Sequence, residues 1–519
     1  MRTSRFIAIQ ILLVFTIFSA DSQDLKNWFN EDPGKEKYAG VSSDLAYEKL
    51  LQNKKAVPVI VAVIDGGTDV NHPDLKDNLW INEDEIPANG IDDDKNGYID
   101  DVHGWNFIGG PNGDVGPDNM EAVRVYNSLK SKFEGKSKSE ISGDDKKDYE
   151  DFLRAKTLIA IENSLNKPYM QEFESLLKIM DEILLSVEDE NNFTAEEVMS
   201  IESNDSLFNM LKEAVAAAMS NEVPFDLIHK DLRAGYKQYS NAVKYHYNVE
   251  FDPREIVRDN YGDYSERYYG NNNVIGPDAE HGTHVAGIIA ANRNNDIGMK
   301  GVASHARIMV IRAVPDGDER DKDVANAIRY AADNGAKIIN MSFGKPFSPG
   351  KKHVDEAVRY AASKEVLLVH AAGNEGANTD VEPNFPSPFY DDNKIKEPLW
   401  IEVGAITTSG DIADFSNFGK KRVDVFAPGA SIYSTMPGGT YEFQDGTSMA
   451  APVVSGIAAL IWSYYPQLSA IQVKEAITAS VVKPKEKTLA GGKMMKFKKL
   501  CTSGGWVNAA TALMKASGM

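Results

Sequence analysis

Val57-Pro58-Val59-Ile60-Val61-Ala62-Val63-Ile64 runs without a charged break into Asp65-Gly66-Gly67. A strand with one wetted face alternates polar and apolar residues. A continuous β-branched run reads instead as a strand covered on both faces, as in a parallel sheet. The run ends in an acid and two glycines, so a carboxylate stands where open α/β sheets form their crevice. The pattern recurs after residue 270. Arg307–Ala313, Lys337–Met341, Val366–Ala371 and Leu399–Val403 read as strands, with helical patterns at Val285–Asn292, Asp323–Asn334 and Val354–Ser363. This alternation predicts an α/β fold with a mostly parallel central sheet and right-handed crossovers. Ser448–Tyr465 is the most apolar helical stretch and is expected to run through the core.

Two more polar positions fall where a tight turn meets an apolar helix. One is His281, in His281-Gly282-Thr283-His284-Val285-Ala286-Gly287; the other is Ser448, in Gly446-Thr447-Ser448-Met449-Ala450-Ala451-Pro452. A hydroxyl in such a place stands clear of the backbone, and the helix N-terminus behind it stabilises developing negative charge. Taken singly, Asp65 could form a turn, His281 could be structural and Ser448 could be a helix cap. Together at one crevice they can form a nucleophilic triad. The imidazole takes the serine proton, and the carboxylate orients the ring and stabilises its charged form.

The chain has 519 residues, 42% hydrophobic and 26% charged, the composition of a water-soluble globular protein of two to four domains. A net charge of −21 argues against a nucleic-acid partner and leaves many carboxylates for hard cations. Arg2 and Arg5 precede the apolar run Phe6 to Phe18, and Ser19, Ala20 and Ser22 follow, so residues 1–22 read as a signal peptide. Export to a periplasmic or extracellular space is expected, with no membrane span in the mature chain. The single cysteine, Cys501, excludes an internal disulfide. Robustness must come from elsewhere, and bound calcium is one source.

The motifs around Asp65, His281 and Ser448, with His72-Pro73-Asp74-Leu75, resemble those of the subtilisin-like serine proteases (subtilases). The resemblance covers roughly residues 57–110 and 270–515. It implies a subtilisin-like three-layer fold and an endopeptidase acting on polypeptides, with Asp65, His281 and Ser448 as the triad. It gives His284 a structural role. Asn374, in Ala371-Ala372-Gly373-Asn374-Glu375-Gly376, matches the oxyanion-hole asparagine. Ser342, Phe343 and Gly344 match the segment that pairs with the substrate backbone and walls its specificity pocket. Asn384-Phe385-Pro386 aligns loosely with the pocket floor. The loop Asp316–Asp323 matches the rim over the residues preceding the scissile bond. Its acidity predicts tolerance of, or preference for, basic residues two or four places before that bond.

Asp92-Asp93-Asp94-Lys95-Asn96-Gly97-Tyr98-Ile99-Asp100-Asp101 sets oxygen ligands at alternating positions around a turn glycine. It resembles the first half of an EF-hand loop, with Asp92, Asp94 and Asn96 ligating by side chain and Tyr98 by carbonyl. His103 stands where the bidentate glutamate belongs, so Asp100 or Asp101 is expected to complete the shell. A second calcium site is implied by the resemblance alone: Asn295 with the carbonyls of Ile297 and Met299, and the remote carboxylate of Asp74. Both ions would be structural, because the triad chemistry needs no cofactor.

From about 118 to 250 the character changes. Phe173, Leu176, Leu177, Met180, Ile183, Leu184 and Val187 follow helical spacing, as do Leu207, Met210, Leu211, Val215 and Met219. This region reads as a large helical insertion between the catalytic aspartate and histidine, with Gly135–Lys147 as a disordered charged linker. The resulting organisation is signal peptide 1–22, short segment 23–55, catalytic parts 56–117 and 251–519, and insertion 118–250. Trp28, Phe29 and Tyr38 are docking points in the short segment. That segment is shorter than the usual subtilase prodomain, and the insertion is a candidate folding aid, lid or partner-binding element. Two other functions remain open: transfer of the acyl group to an amine, and a catalytically silent binding module.

Overall fold

The computed structural model describes residues 25–35, 37–390 and 394–519; the signal-peptide segment lies outside them. The chain forms two compact units. The larger spans Asp24–Glu121 and Asp252–Met519. Its central sheet has seven strands, β1 (Val59–Asp65), β2 (Gly104–Asn106), β3 (Ala306–Arg312), β4 (Ile338–Met341), β5 (Leu367–Ala371), β6 (Trp400–Ile406) and β7 (Val425–Pro428). Their order is β7-β6-β5-β4-β1-β3-β2, and every neighbouring pair is parallel. The chain leaves β1, returns on one side as β3 and on the other as β4. That reversal makes the carboxyl end of β1 the topological switch point, where the crevice opens.

The continuous apolar character of β1 has the expected cause. Val61 and Val63 face a cluster with helices α1 (Glu280–Ala290) and α4 (Thr447–Tyr464), through Val285, Ile288, Val454 and Ile457. Ala62 and Ile64 face α2 (Asp321–Asp333) and α3 (Lys351–Ser363), through Val324, Ile328, Val354 and Val358. The result is three layers. Among the described residues α4 is the only helix long and apolar enough to cross a membrane, and 89% of it is buried inside this core. Three helices begin earlier than the apolar pattern indicates: α1 at Glu280, α2 at Asp321 and α3 at Lys351. His281 therefore sits inside the first turn of α1, not before it.

Trp28 and Phe29 are fully buried, and the Trp28 Nε1 donates to the Ser431 carbonyl at 2.8 Å. The segment before β1 is thus part of the core, while Tyr38 packs only at its edge.

The loop Asp316–Asp323 departs from its reading as an acidic rim. Asp318 to Asp323 are all buried. Arg320 pairs with Asp118 and Asp252, and Lys322 with Asp259 and Glu266. Arg254 joins Asp259 to Asp323, and Lys345 lies 2.9 Å from Asp321 and 2.7 Å from Glu121. Buried charge persists only when paired. Asp321 and Asp323 are thus paired with cations far away in sequence and form no part of an exposed acidic rim.

The smaller unit includes Ala122–Phe251, so residues 118–121 belong with the sheet, not with the insertion. It holds helices Asp145–Ser186, Ser206–Ser220 and Phe225–Asn241 around Phe173, Leu176, Met180, Ile183, Phe208, Leu211, Val215, Ile228 and Leu232. The second buried stripe runs through Phe208 instead of Leu207, which is exposed. Val187 lies just past the end of the long helix. Within Gly135–Lys147 the expected disordered linker is replaced by a 3-10 turn, Lys138–Glu140. Ser137 N–H donates to Glu140 at 2.8 Å, and the Tyr149 hydroxyl donates to the Lys136 carbonyl at 2.8 Å.

Candidate active site

Asp65 ends β1 with its side chain 4% exposed. Its two oxygens lie 2.9 and 3.0 Å from His281 Nδ1, and Gly66 N–H donates to Oδ1 at 2.8 Å. This approach requires Gly282 to be glycine. A Cβ there would fall 2.1 Å from the Gly67 carbonyl oxygen and 3.1 Å from the Asp65 Cβ. Burial pulls the His281 imidazole down, but the charge and hydrogen bond of Asp65 outweigh it and hold its pKa above the ordinary value. His281 Nδ1 therefore carries a proton that Asp65 accepts, leaving Nε2 as the basic atom.

His284, one turn on, does something different. Its Nε2 donates to the Ile432 and Glu442 carbonyls at 3.0 and 3.2 Å. Burial pushes its pKa down to about 3, so it stays neutral and ties α1 to the hairpin Ile432–Met436 and Thr440–Gln444.

Ser448 lies in the first turn of α4. Pro452 has no N–H to give the Ser448 carbonyl its helical bond. The Ser342 Oγ fills that place at 2.9 Å, and Asn340 Nδ2 donates to the same Oγ at 2.9 Å. In return the Ser448 Oγ donates to the Ser342 carbonyl at 3.0 Å. Among the described residues no hydrogen bond joins Ser448 to His281. The serine proton transfer expected from the sequence therefore requires the Ser448 hydroxyl to leave the Ser342 carbonyl.

Asn374 follows β5 and is fixed by the residue before the serine. Thr447 N–H and Oγ1 both donate to Asn374 Oδ1 at 2.9 Å, and Gly373 N–H donates to Thr447 Oγ1 at 3.1 Å. With Oδ1 committed as acceptor, the Nδ2 donors remain for the cleft. Asn374 and Ser448 line a cavity of about 250 Å³ together with Phe343, Gly344, Ala371 and Asn384. Ser342 does not line it; both its polar oxygens are engaged with Ser448. Asp318 and Glu319, from the loop read as an acidic rim, line it too, and so does Glu375. Burial pushes the Glu319 carboxyl up, against the pull of Lys345.

The Asp-rich loop brings together Asp92 and Asp94 as expected, but the third carboxylate is Glu85, with one oxygen from each within 4.8 Å of the others. Glu85 also accepts the Asp93, Asp94 and Asp100 N–H groups. Asn96 lies beside Asp94, its Nδ2 3.0 Å from Asp94 Oδ2, and its own Oδ1 accepts Tyr98 N–H. Asp100 and Asp101, expected to complete the shell, are taken up elsewhere. Asp100 accepts Asn89 and Gly90 N–H, while Asp101 accepts from Asn82, Asn96 and the Tyr330 hydroxyl. Glu85 left little trace in sequence, because a lone glutamate in an acidic loop resembles its neighbours.

Asp74 and the 292–300 loop also meet. Asp74 accepts from Asn292 N–H at 3.2 Å, Asn295 Nδ2 at 2.7 Å, Met299 N–H at 3.3 Å and the Tyr441 hydroxyl at 3.3 Å. Asn295 Oδ1 accepts Ile297 N–H. Donors thus surround this carboxylate, and a cation there would require the Asn295 amide to turn over.

The model of the subtilase family matches residues 58–494. A thermophilic serine proteinase of Bacillus sp. (strain AK1) is 42% identical over 38% of this chain and 45% of its own length. Subtilisin NAT of Bacillus subtilis subsp. natto is 40% identical over 39% and 50%. Thermitase of Thermoactinomyces vulgaris is 38% identical over 42% and 74%. The chain spans about half the length of the first two of these curated relatives.

Proposed function

Because this chain belongs to the subtilase family, we propose that it is an exported serine endopeptidase that hydrolyses peptide bonds through an acyl-enzyme on Ser448. The observation that carries the reading is the pairing of His281 Nδ1 with Asp65 at 2.9 Å, beside a cavity whose rim holds Ser448 and Asn374. In the proposed reaction the Ser448 hydroxyl turns from the Ser342 carbonyl to His281 Nε2, gives up its proton and attacks the substrate carbonyl. The oxyanion is met by Asn374 Nδ2 and the Ser448 backbone N–H. His281 then protonates the leaving amine. Water, deprotonated by the same imidazole, releases the acid. Phe343 and Gly344 bound the pocket that takes the side chain before the scissile bond.

Calcium is proposed on Glu85, Asp92 and Asp94, a hard-oxygen set that fits it. It would offset the repulsion of three converging carboxylates and brace the loop between β1 and β2. Asp74, Asn295, Ile297 and Met299 form a second candidate only with the Asn295 amide reversed. Chelation is expected to destabilise the protein by about 2–4 kcal/mol, as removal of a ligand held well above its dissociation constant does. Differential scanning calorimetry should show a lower midpoint with EDTA, restored by calcium. An unchanged midpoint with no metal by elemental analysis rules both sites out.

A fluorophosphonate probe tests the function. Labelling of Ser448 in the folded protein, together with casein hydrolysis, is the expected result. Absence of labelling in calcium-loaded protein favours a silent binding module. Labelling without hydrolysis favours acyl transfer to an amine. The Ala122–Phe251 unit is proposed to govern which substrates reach the cleft, and cleavage-site profiles with and without it check this.

A further inference from the structure

The segment Lys483–Lys499 stands apart in this acidic chain. It holds seven lysines (Lys483, Lys485, Lys487, Lys493, Lys496, Lys498 and Lys499) against one carboxylate, Glu486. That is a local net charge of +6 in a chain of −21. All seven lysines are exposed. None of their side chains makes a hydrogen bond or ion pair with another described residue.

The backbone arranges them around an apolar tip. Strands Lys487–Ala490 and Lys493–Lys496 form a hairpin turned by Gly491-Gly492, both with positive φ. Thr488 and Ala490 face inward and are buried, and Thr488 Oγ1 accepts Ile412 N–H. The other face pairs Leu489 with Met494, which are 47% and 58% exposed. Directly flanking them is Lys487 opposite Lys496. Like charges opposite one another destabilise a hairpin unless an anionic surface compensates them. Two adjacent exposed apolar side chains at a tip, ringed by unpaired lysines, suit an interface whose charge lies outside and whose interior is oily.

We propose that this hairpin docks the protein on an anionic lipid bilayer, with Leu489 and Met494 entering the headgroup boundary and the lysines meeting lipid phosphates. Clusters of four to eight basic residues beside apolar anchors bind such surfaces. Screening confines the interaction to charges within about 8 Å at physiological ionic strength. A Cβ on Gly491 would lie 3.9 Å from the Gly376 carbonyl, so a docked hairpin holds the loop after Asn374 near the membrane. The docking does not depend on the peptidase reading.

The test is co-sedimentation of the full Ser448→Ala chain with vesicles of phosphatidylcholine alone or mixed with phosphatidylglycerol. Binding is expected only to the mixed vesicles, and raising the salt should weaken it. Each such lysine changes the partition about fivefold, so Lys487→Gln/Lys493→Gln/Lys496→Gln is expected to lower it roughly a hundredfold. Leu489→Ser/Met494→Ser should lower it at every salt concentration. All five positions are exposed, so a thermal midpoint close to that of the parent chain should accompany both variants. No binding to mixed vesicles, equal binding to neutral ones, or an unaffected triple variant overturns the proposal. Retention on polyglutamate without vesicle binding makes the hairpin an acidic-polypeptide site and also overturns it.

Discussion

Ser448→Ala is expected to lower kcat for peptide hydrolysis by about a millionfold, with KM nearly unchanged. That magnitude is the one known for loss of the nucleophilic serine in subtilisin, a relative of this chain. The reason is that the substitution removes the atom that attacks and leaves the binding surface intact. Phe343, Gly344 and Asn374 still line the cavity. The deleted hydroxyl contributes one bond, to the Ser342 carbonyl at 3.0 Å, so the cost to folding is about 1 kcal/mol. Ser342 Oγ still holds the Ser448 carbonyl. The variant should therefore melt close to the wild type, bind peptide, and fail to label with fluorophosphonate. Residual catalysis from the oxyanion donors is expected to persist at about a thousandfold over water. Hydrolysis at the wild-type rate would remove Ser448 from the reaction.

Asp65→Asn is expected to reduce kcat by about ten-thousandfold at neutral pH. The amide preserves the size of the side chain but offers an N–H where His281 Nδ1 now donates. The ring then takes the other tautomer, and Nε2 carries a proton and cannot accept one from Ser448. The pH profile separates this from mere unfolding. Catalysis needs neutral His281, so kcat/KM falls as pH drops through a pKa that Asp65 holds above the ordinary histidine value. Without the carboxylate that pKa falls, and the acid limb of the variant should move to lower pH. The linkage to stability has the opposite sense. The raised pKa stabilises the fold at low pH and loses that contribution as pH rises through it. An acid limb left in place in Asp65→Asn would show that another group controls it.

The parts of the site legible in the sequence are those encoded locally. The apolar run into Asp65 announces a buried central strand and its carboxyl end. Helix starts at His281 and Ser448 are marked by glycine and small residues followed by apolar periodicity. Local rules are enough to place such residues at edges of elements, and the parallel sheet gathers those edges. Other features were read wrongly or missed because their cause lies across the chain. Asp321, Asp323 and Lys345 look like solvated charges, yet they are buried against one another and against Arg254 and Glu121. Charge runs are exposed by default, and only a specific three-dimensional neighbour reverses that default. Thr447 reads as a helix cap, and only the fold turns its hydroxyl onto Asn374.

The sequence by itself determined the sheet class, the edge positions of Asp65, His281 and Ser448, and the acidic loop after β1, because hydrophobic period and turn chemistry act over a few residues. Only the tertiary structure decided that Glu85 joins Asp92 and Asp94, that Ser448 rests on Ser342, and that seven lysines ring an exposed apolar tip. Each of these depends on distances between side chains set by how the layers pack, a quantity that no local pattern contains.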